Sequence, residues 1–152
     1  MIPALLTTAS PAETRQAGRM LARALEPGDV VLLVGGLGAG KTTFVQGVAA
    51  GLGVTDDVTS PTFTLCQIYE GRVTVMHADL WRLDRLGEVL DLALDEGLED
   101  GGVLIAEWGE GAAELYGDDA LVVTIDMGEG EDDRVLRLEA HGAAWEQRVK
   151  AP

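Results

Sequence analysis

The stretch "GGLGAGKT", residues 35 to 42, constrains this chain more than any other. Gly35, Gly40, Lys41 and Thr42 fit the pattern G-x-x-x-x-G-K-[ST]. Before it lies "DVVLLVG", 29 to 35, a short and nearly continuous apolar run of the kind that forms a strand buried on both faces. After it, Phe44, Val45, Val48, Ala49 and Leu52 recur at helical spacing until Gly53. A strand, a glycine-rich turn and a helix must therefore follow one another without a break. The turn has to expose its backbone N–H groups at the positive end of that helix.

That arrangement suits phosphate. Glycine lets the backbone of Gly36, Leu37, Gly38, Ala39 and Gly40 approach phosphate oxygens closely. The first helical residues, Lys41, Thr42 and Thr43, add the helix N-terminus. Lys41 would neutralise β- and γ-phosphates, and the Thr42 hydroxyl would ligate Mg2+. The chain has only two lysines, Lys41 and Lys150, and one of them stands in its most glycine-rich loop. A guanine-specific site usually carries an Asn-Lys-x-Asp element, and this chain contains no asparagine, which favours ATP as the nucleotide.

The remaining elements follow from periodicity. Ser10, Pro11 and Glu13 open a helix as N-cap, first-turn proline and capping-box glutamate, with Ala17, Met20, Leu21, Ala24 and Leu25 as its buried stripe and Pro27-Gly28 as its stop. "TFTLCQIYEGRVTVMHAD" reads as a hairpin turning at Glu70-Gly71. A helix is predicted around 84 to 94, carrying Leu86, Val89, Leu90 and Ala93. "GGVLIAEW", 101 to 108, is an apolar strand ending in a carboxylate. "ALVVTIDM" and "RVLRLEAH" form a second hairpin across the acidic turn "GEGEDD", and "GAAWEQRVK" a short closing helix. The alternation predicts an α/β fold: a P-loop NTPase-like three-layer sandwich whose mixed sheet has parallel core strands and antiparallel hairpins. With 152 residues, 47% of them apolar, one domain spanning 1–152 is expected.

Composition narrows the setting. Eleven basic against 26 acidic residues give a net charge of −15, and no run of Lys or Arg relieves it, so direct binding of a nucleic-acid backbone is not expected. No apolar run approaches the roughly 20 residues of a membrane span. The start, "MIPALLTTASPAE", makes a poor signal peptide, and the single Cys66 excludes an internal disulfide. A cytoplasmic protein is expected.

A phosphate loop also needs an acid near the magnesium, usually at the end of a neighbouring apolar strand. Glu107 and Asp79 are the candidates. If strand 103–106 runs parallel to strand 29–34, Glu107 stands beside the loop, where it could hold magnesium through water or orient the attacking water. If strand 72–78 is parallel as well, the open end of its hairpin brings Ser60, Thr62 and Asp79 to the phosphates as a polar rim, stiffened by Pro61. An ordinary strand-terminal glutamate and a solvated hairpin mouth are the plain alternatives. His77 reads as a hydrogen-bonded structural histidine; with His141 far off in sequence there is no zinc constellation. Trp81 and Trp108 each follow a candidate carboxylate and could cover the site or pack elsewhere. Arg82 could stabilise phosphate charge or form a surface ion pair.

"GGLGAGKTTF", "SPTFTL", "HADLWRL" and "AEW", in this order and spacing, resemble the ATPase subunit family of the bacterial tRNA threonylcarbamoyladenosine (t6A) biosynthesis machinery, the TsaE family. The resemblance runs from near Glu13 to about residue 126. It implies ATP binding and slow hydrolysis in support of N6-threonylcarbamoylation of adenosine 37 in tRNAs that read ANN codons. It further implies a magnesium-associated pair in Thr42 and Glu107, and a requirement for Asp79 in hydrolysis. The transferase chemistry would belong to partner subunits, a metal-bearing transferase and its paralogue, with tRNA reached only through the complex. Gly36 stands where the family often has Asp, and Trp81 where it usually has Tyr. The alternative is a small-molecule P-loop kinase; it would need an acceptor pocket and an arginine-bearing lid, for which only Arg82 and Arg85 are available after the hairpin. A third reading is a nucleotide switch that binds without hydrolysing.

Overall fold

The computed structural model describes residues 1–61, 66–79, 87–107 and 115–150. Its elements in chain order are β1 (Ile2–Pro3), β2 (Leu5–Thr8), α1 (Pro11–Ala22), β3 (Val30–Val34), α2 (Lys41–Gly51), β4 (Cys66–Glu70) and β5 (Thr74–Asp79). α3 (Gly87–Glu99), β6 (Val103–Glu107), β7 (Ala120–Met127), β8 (Arg134–His141), α4 (Ala143–Glu146) and β9 (Val149–Lys150) follow.

Seven strands form one sheet in the order β2-β8-β7-β3-β6-β5-β4. β3 is central, parallel to both β6 and β7, and β5 is parallel to β6. The two hairpins extend the edges antiparallel, β4 on β5 and β8 on β7, and β2 closes against β8. The mixed sheet with a parallel core is the one the sequence predicts. β3 has helices over both faces, which explains its unbroken apolar run. Val31 and Leu33 join the core under α1 and α2, while Val30 and Leu32 join the core that contains Leu94 and Leu98 of α3. Among the described residues, no helix is long and apolar enough to cross a membrane.

α1 begins as its caps dictate. The Ser10 hydroxyl accepts from the Glu13 N–H at 3.1 Å, and the Glu13 carboxylate accepts from the Ala9 N–H at 3.3 Å. α1 then crosses α2 at backbone contact. A Cβ on Gly18 would lie 2.3 Å from the Phe44 carbonyl oxygen, and one on Gly47 2.0 Å from that of Arg15. These two glycines set the helix separation, and with it the position of the N-terminus of α2.

Two local features differ from expectation. The first hairpin does not turn at Glu70-Gly71: Glu70 pairs with Thr74, leaving Gly71, Arg72 and Val73 as a three-residue connection. The tip is held from outside. Arg72 donates its N–H to the Leu52 carbonyl at 2.7 Å and its guanidinium to that of Ala22 at 2.6 Å, so it satisfies carbonyls at the ends of α2 and α1. The N-terminal stretch, read from sequence only as a poor signal peptide, supplies β1 and β2. β2 is a four-residue edge with Leu5 exposed and Thr8 buried, too short to show a period.

Candidate functional site

The parallel strands end side by side. Leu33 of β3 is opposite Glu107 of β6, and Glu107 is opposite Asp79 of β5. Side chains in register across a parallel sheet point to the same face, here the face of Leu33 and therefore of α2. Both carboxylates are buried, Asp79 at 5% and Glu107 at 6% exposure. The two parallel-strand conditions set by the sequence are thus both met, and the plain alternative of a solvated hairpin mouth does not describe Asp79.

The loop from β3 to α2 closes over this end. Gly40 caps α2 at φ 106°, a backbone conformation that favours glycine. Lys41 folds back: its Nζ donates to the Gly35 carbonyl at 2.9 Å and lies 3.9 Å from Glu107 Oε2. Burial pushes the Glu107 carboxyl above its ordinary range; Lys41 opposes that shift, and neighbouring Asp79 adds to it. Gly36, Leu37 and Gly38 face solvent, while Ala39 is buried beneath them.

A cleft of about 280 Å³ opens beside the loop. Leu37, Gly38 and Gly40 form one wall, Lys41, Thr42 and Thr43 the helix end, and Ser60 and Glu107 the far side. Ser60 arrives on a segment tied to α2, since Gln46 donates to the Val58 carbonyl at 3.1 Å. The structure therefore brings together Gly38, Gly40, Lys41, Thr42, Thr43, Ser60 and Glu107, with Asp79 next to Glu107. Thr62, Trp81, Arg82, Arg85 and Trp108 lie outside the described residues. The oxygen donors of Thr42, Glu107 and Asp79 are the hard ligands that suit Mg2+. A wider cavity of about 510 Å³ lies along β2, β8 and β9, away from the carboxyl ends of β3, β5 and β6.

One reading is corrected. His77, expected to be a hydrogen-bonded structural residue, is fully buried, yet among the described residues neither ring nitrogen has a hydrogen-bond partner. Burial lowers its pKa to about 4, so the imidazole is neutral at physiological pH.

One residue was missed. Arg134, at the start of β8, donates to the Ala39 carbonyl at 2.8 Å and to that of Gly38 at 3.3 Å, and also to the carbonyls of Glu131 and Asp133. It staples the glycine-rich loop to the acidic turn between β7 and β8. With Thr14, Gly40, Thr43 and Asp132 it also lines a small recess continuous with the loop. The hairpin was legible, but only the neighbour relation of β7 and β3 puts Arg134 at the loop, and nothing in the sequence reveals that pairing.

The family model for threonylcarbamoyl adenosine biosynthesis protein TsaE matches residues 8–136, extending past Gly128 to include Arg134. The tRNA threonylcarbamoyladenosine biosynthesis protein TsaE of Streptomyces coelicolor is 44% identical over 138 residues, covering 86% of this chain and 93% of that protein. Its Bacillus subtilis counterpart is 39% identical over 140 residues, covering 91% and 87%. The crystal structure of Bacillus subtilis YdiB superposes with a TM-score of 0.75 at 34% identity, covering 94% of this chain and 88% of that one. With its glycine-rich loop, paired strand-end carboxylates and mixed sheet, the chain belongs to the TsaE family of threonylcarbamoyl adenosine biosynthesis proteins.

Proposed function

We propose that this chain binds Mg·ATP and hydrolyses it slowly, in support of t6A37 formation on tRNA by partner subunits, a transferase and its paralogue. The observation that carries the reading is the convergence of the glycine loop, Lys41 and Glu107 at the carboxyl ends of adjacent parallel strands, with 3.9 Å between the Lys41 and Glu107 head groups. Backbone amides from Gly36 to Thr43 cradle the phosphates, and Lys41 exchanges the Gly35 carbonyl for β- and γ-phosphate oxygens. Thr42 and Glu107, with Asp79 beside them, hold magnesium, which when bound neutralises charge on the phosphates. Glu107 or Asp79 orients the attacking water, and Ser60 meets the γ-phosphate from the far side. The recess by Thr14 and Arg134 shares Gly40 and Thr43 with the cleft.

The test combines binding and product analysis. Lys41→Ala should weaken Mg·ADP and Mg·ATP binding by about tenfold or more, because a charge-assisted contact is lost. Phosphate should appear in water, slowly with the chain alone and faster with its partners. Phosphate transferred to a metabolite instead would establish a kinase, and binding without release would establish a switch.

A further inference from the structure

Buried polar groups without partners are costly, and native proteins keep few of them. His77 is such a group: it is 0% exposed, and among the described residues neither Nδ1 nor Nε2 has a partner. An apolar side chain would fill the same position without that cost. Its neighbours supply a reason for keeping it. Directly across the hairpin in register is Gln67, with its side chain on the same face. The Gln67 amide is engaged elsewhere: it donates to Thr59 Oγ1 at 3.0 Å, while its carbonyl oxygen accepts from the Tyr69 hydroxyl. The Tyr69 hydroxyl in turn accepts from the Thr59 N–H at 3.3 Å. Thr59 immediately precedes Ser60, which lines the cleft. Two residues beyond His77, on the same face of β5, stands Asp79. His77 therefore sits between Asp79 and the polar brace that holds the Ser60 segment.

We infer that His77 is a positioning residue for Asp79, coupled to the Ser60 segment through Gln67. When a phosphate in the cleft draws Ser60 inward, Thr59 releases the Gln67 amide, which turns across the hairpin to the imidazole. A neutral imidazole has one donor and one acceptor, and an amide has both, so the pair forms with either tautomer. β5 is already paired to β4 and β6; the new bond adds a side-chain tie two residues from Asp79 that exists only while the phosphate is held. Hydrolysis, rather than nucleotide affinity, then depends on His77. The inference rests on the nucleotide reading above.

The chain has two histidines, so in a His141→Gln background the ring 15N resonances report His77 alone. On adding Mg·ADP with aluminium fluoride, those resonances should shift and the ring N–H should exchange more slowly. Gln67→Leu should abolish that response while leaving ADP bound. His77→Leu should melt no lower than the parent and keep its ADP affinity, but lower kcat for phosphate release by about tenfold to a hundredfold at unchanged KM. Unmoved His77 resonances with the ligand demonstrably bound would overturn this inference alone, whereas failure of the ligand to bind would remove the nucleotide reading as well. A His77→Leu chain that hydrolyses normally, or that loses stability together with activity, would return the residue to a purely structural role.

Discussion

Glu107 shows how a single side chain can be placed at the expense of the fold. Its carboxylate is taken out of water, and Lys41, at 3.9 Å, restores only part of what burial removes, so the group titrates above its ordinary range. Between its unfolded and folded values the folded chain holds the extra proton, and stability must fall as pH rises through that interval. Glu107→Gln removes the interval. In the absence of magnesium and nucleotide, the variant should melt above the parent at about pH 8, with the difference closing toward about pH 3, where Glu107 is protonated in both the folded and the unfolded parent. The same variant should bind Mg·ATP and fail to release phosphate. A variant that melts lower across the whole range would show that the Lys41 contact outweighs burial. Residues of this kind were legible because the motif carries their chemistry: Lys41, Thr42 and Glu107 could be named from spacing and strand ends. Arg134 and the unpartnered state of His77 were not, since each depends on which strand lies beside which, and on atoms that approach from distant segments.

Among the elements, the α1–α2 crossing decides where the glycine-rich loop points. α2 has no side-chain cap; it starts at Gly40 with Lys41, Thr42 and Thr43 lining the cleft, and its sideways position is fixed by backbone contact at Gly18 and Gly47. Gly47→Ala separates two opposing effects. Alanine is the better helix former by about 1 kcal/mol, but its methyl group would meet the Arg15 carbonyl oxygen at 2.0 Å. Backbone cannot yield as a side-chain end can, so the overpacking should prevail. The variant should be less stable than the parent by about 1–3 kcal/mol in urea denaturation, with Mg·ADP affinity reduced because α2 moves. Equal or greater stability would mean that the crossing can relax. Both helices could be read from their apolar stripes and caps, but nothing in those stripes says that two glycines touch across the interface. The hairpin tip makes the same point. Glu70-Gly71 looks like a two-residue turn locally, and docking of Arg72 on the ends of α1 and α2 selects a longer one.

For the whole molecule, the decisive quantity is the net charge of −15. The positive charges do less to balance it at the surface than their number suggests, because several are turned inward. Lys41 is held at Gly35, Arg72 at Ala22, Arg134 at Ala39 of the glycine-rich loop, and Arg148 on Asp29 at 2.6 Å and 2.9 Å. Arg137 with Asp126 is an exposed pair of little energetic weight. The folded chain therefore gathers like charges that the unfolded chain spreads apart, and their repulsion opposes folding. Salt at about 0.3 M shortens the screening length to well under 10 Å, so the melting temperature at neutral pH should rise between about 20 mM and about 300 mM NaCl. A fall would mean that attractive pairs such as Arg148–Asp29 outweigh the net repulsion. The same field has a consequence for RNA. A polyanion gains nothing from approaching this surface, so the isolated chain should not retain tRNA in a filter or mobility assay even at low salt, where a basic protein binds most tightly. A tRNA that bound, and bound more weakly as salt rose, would require a basic face absent from the described residues. A tRNA held only once the partner subunits are added would place the contact on them.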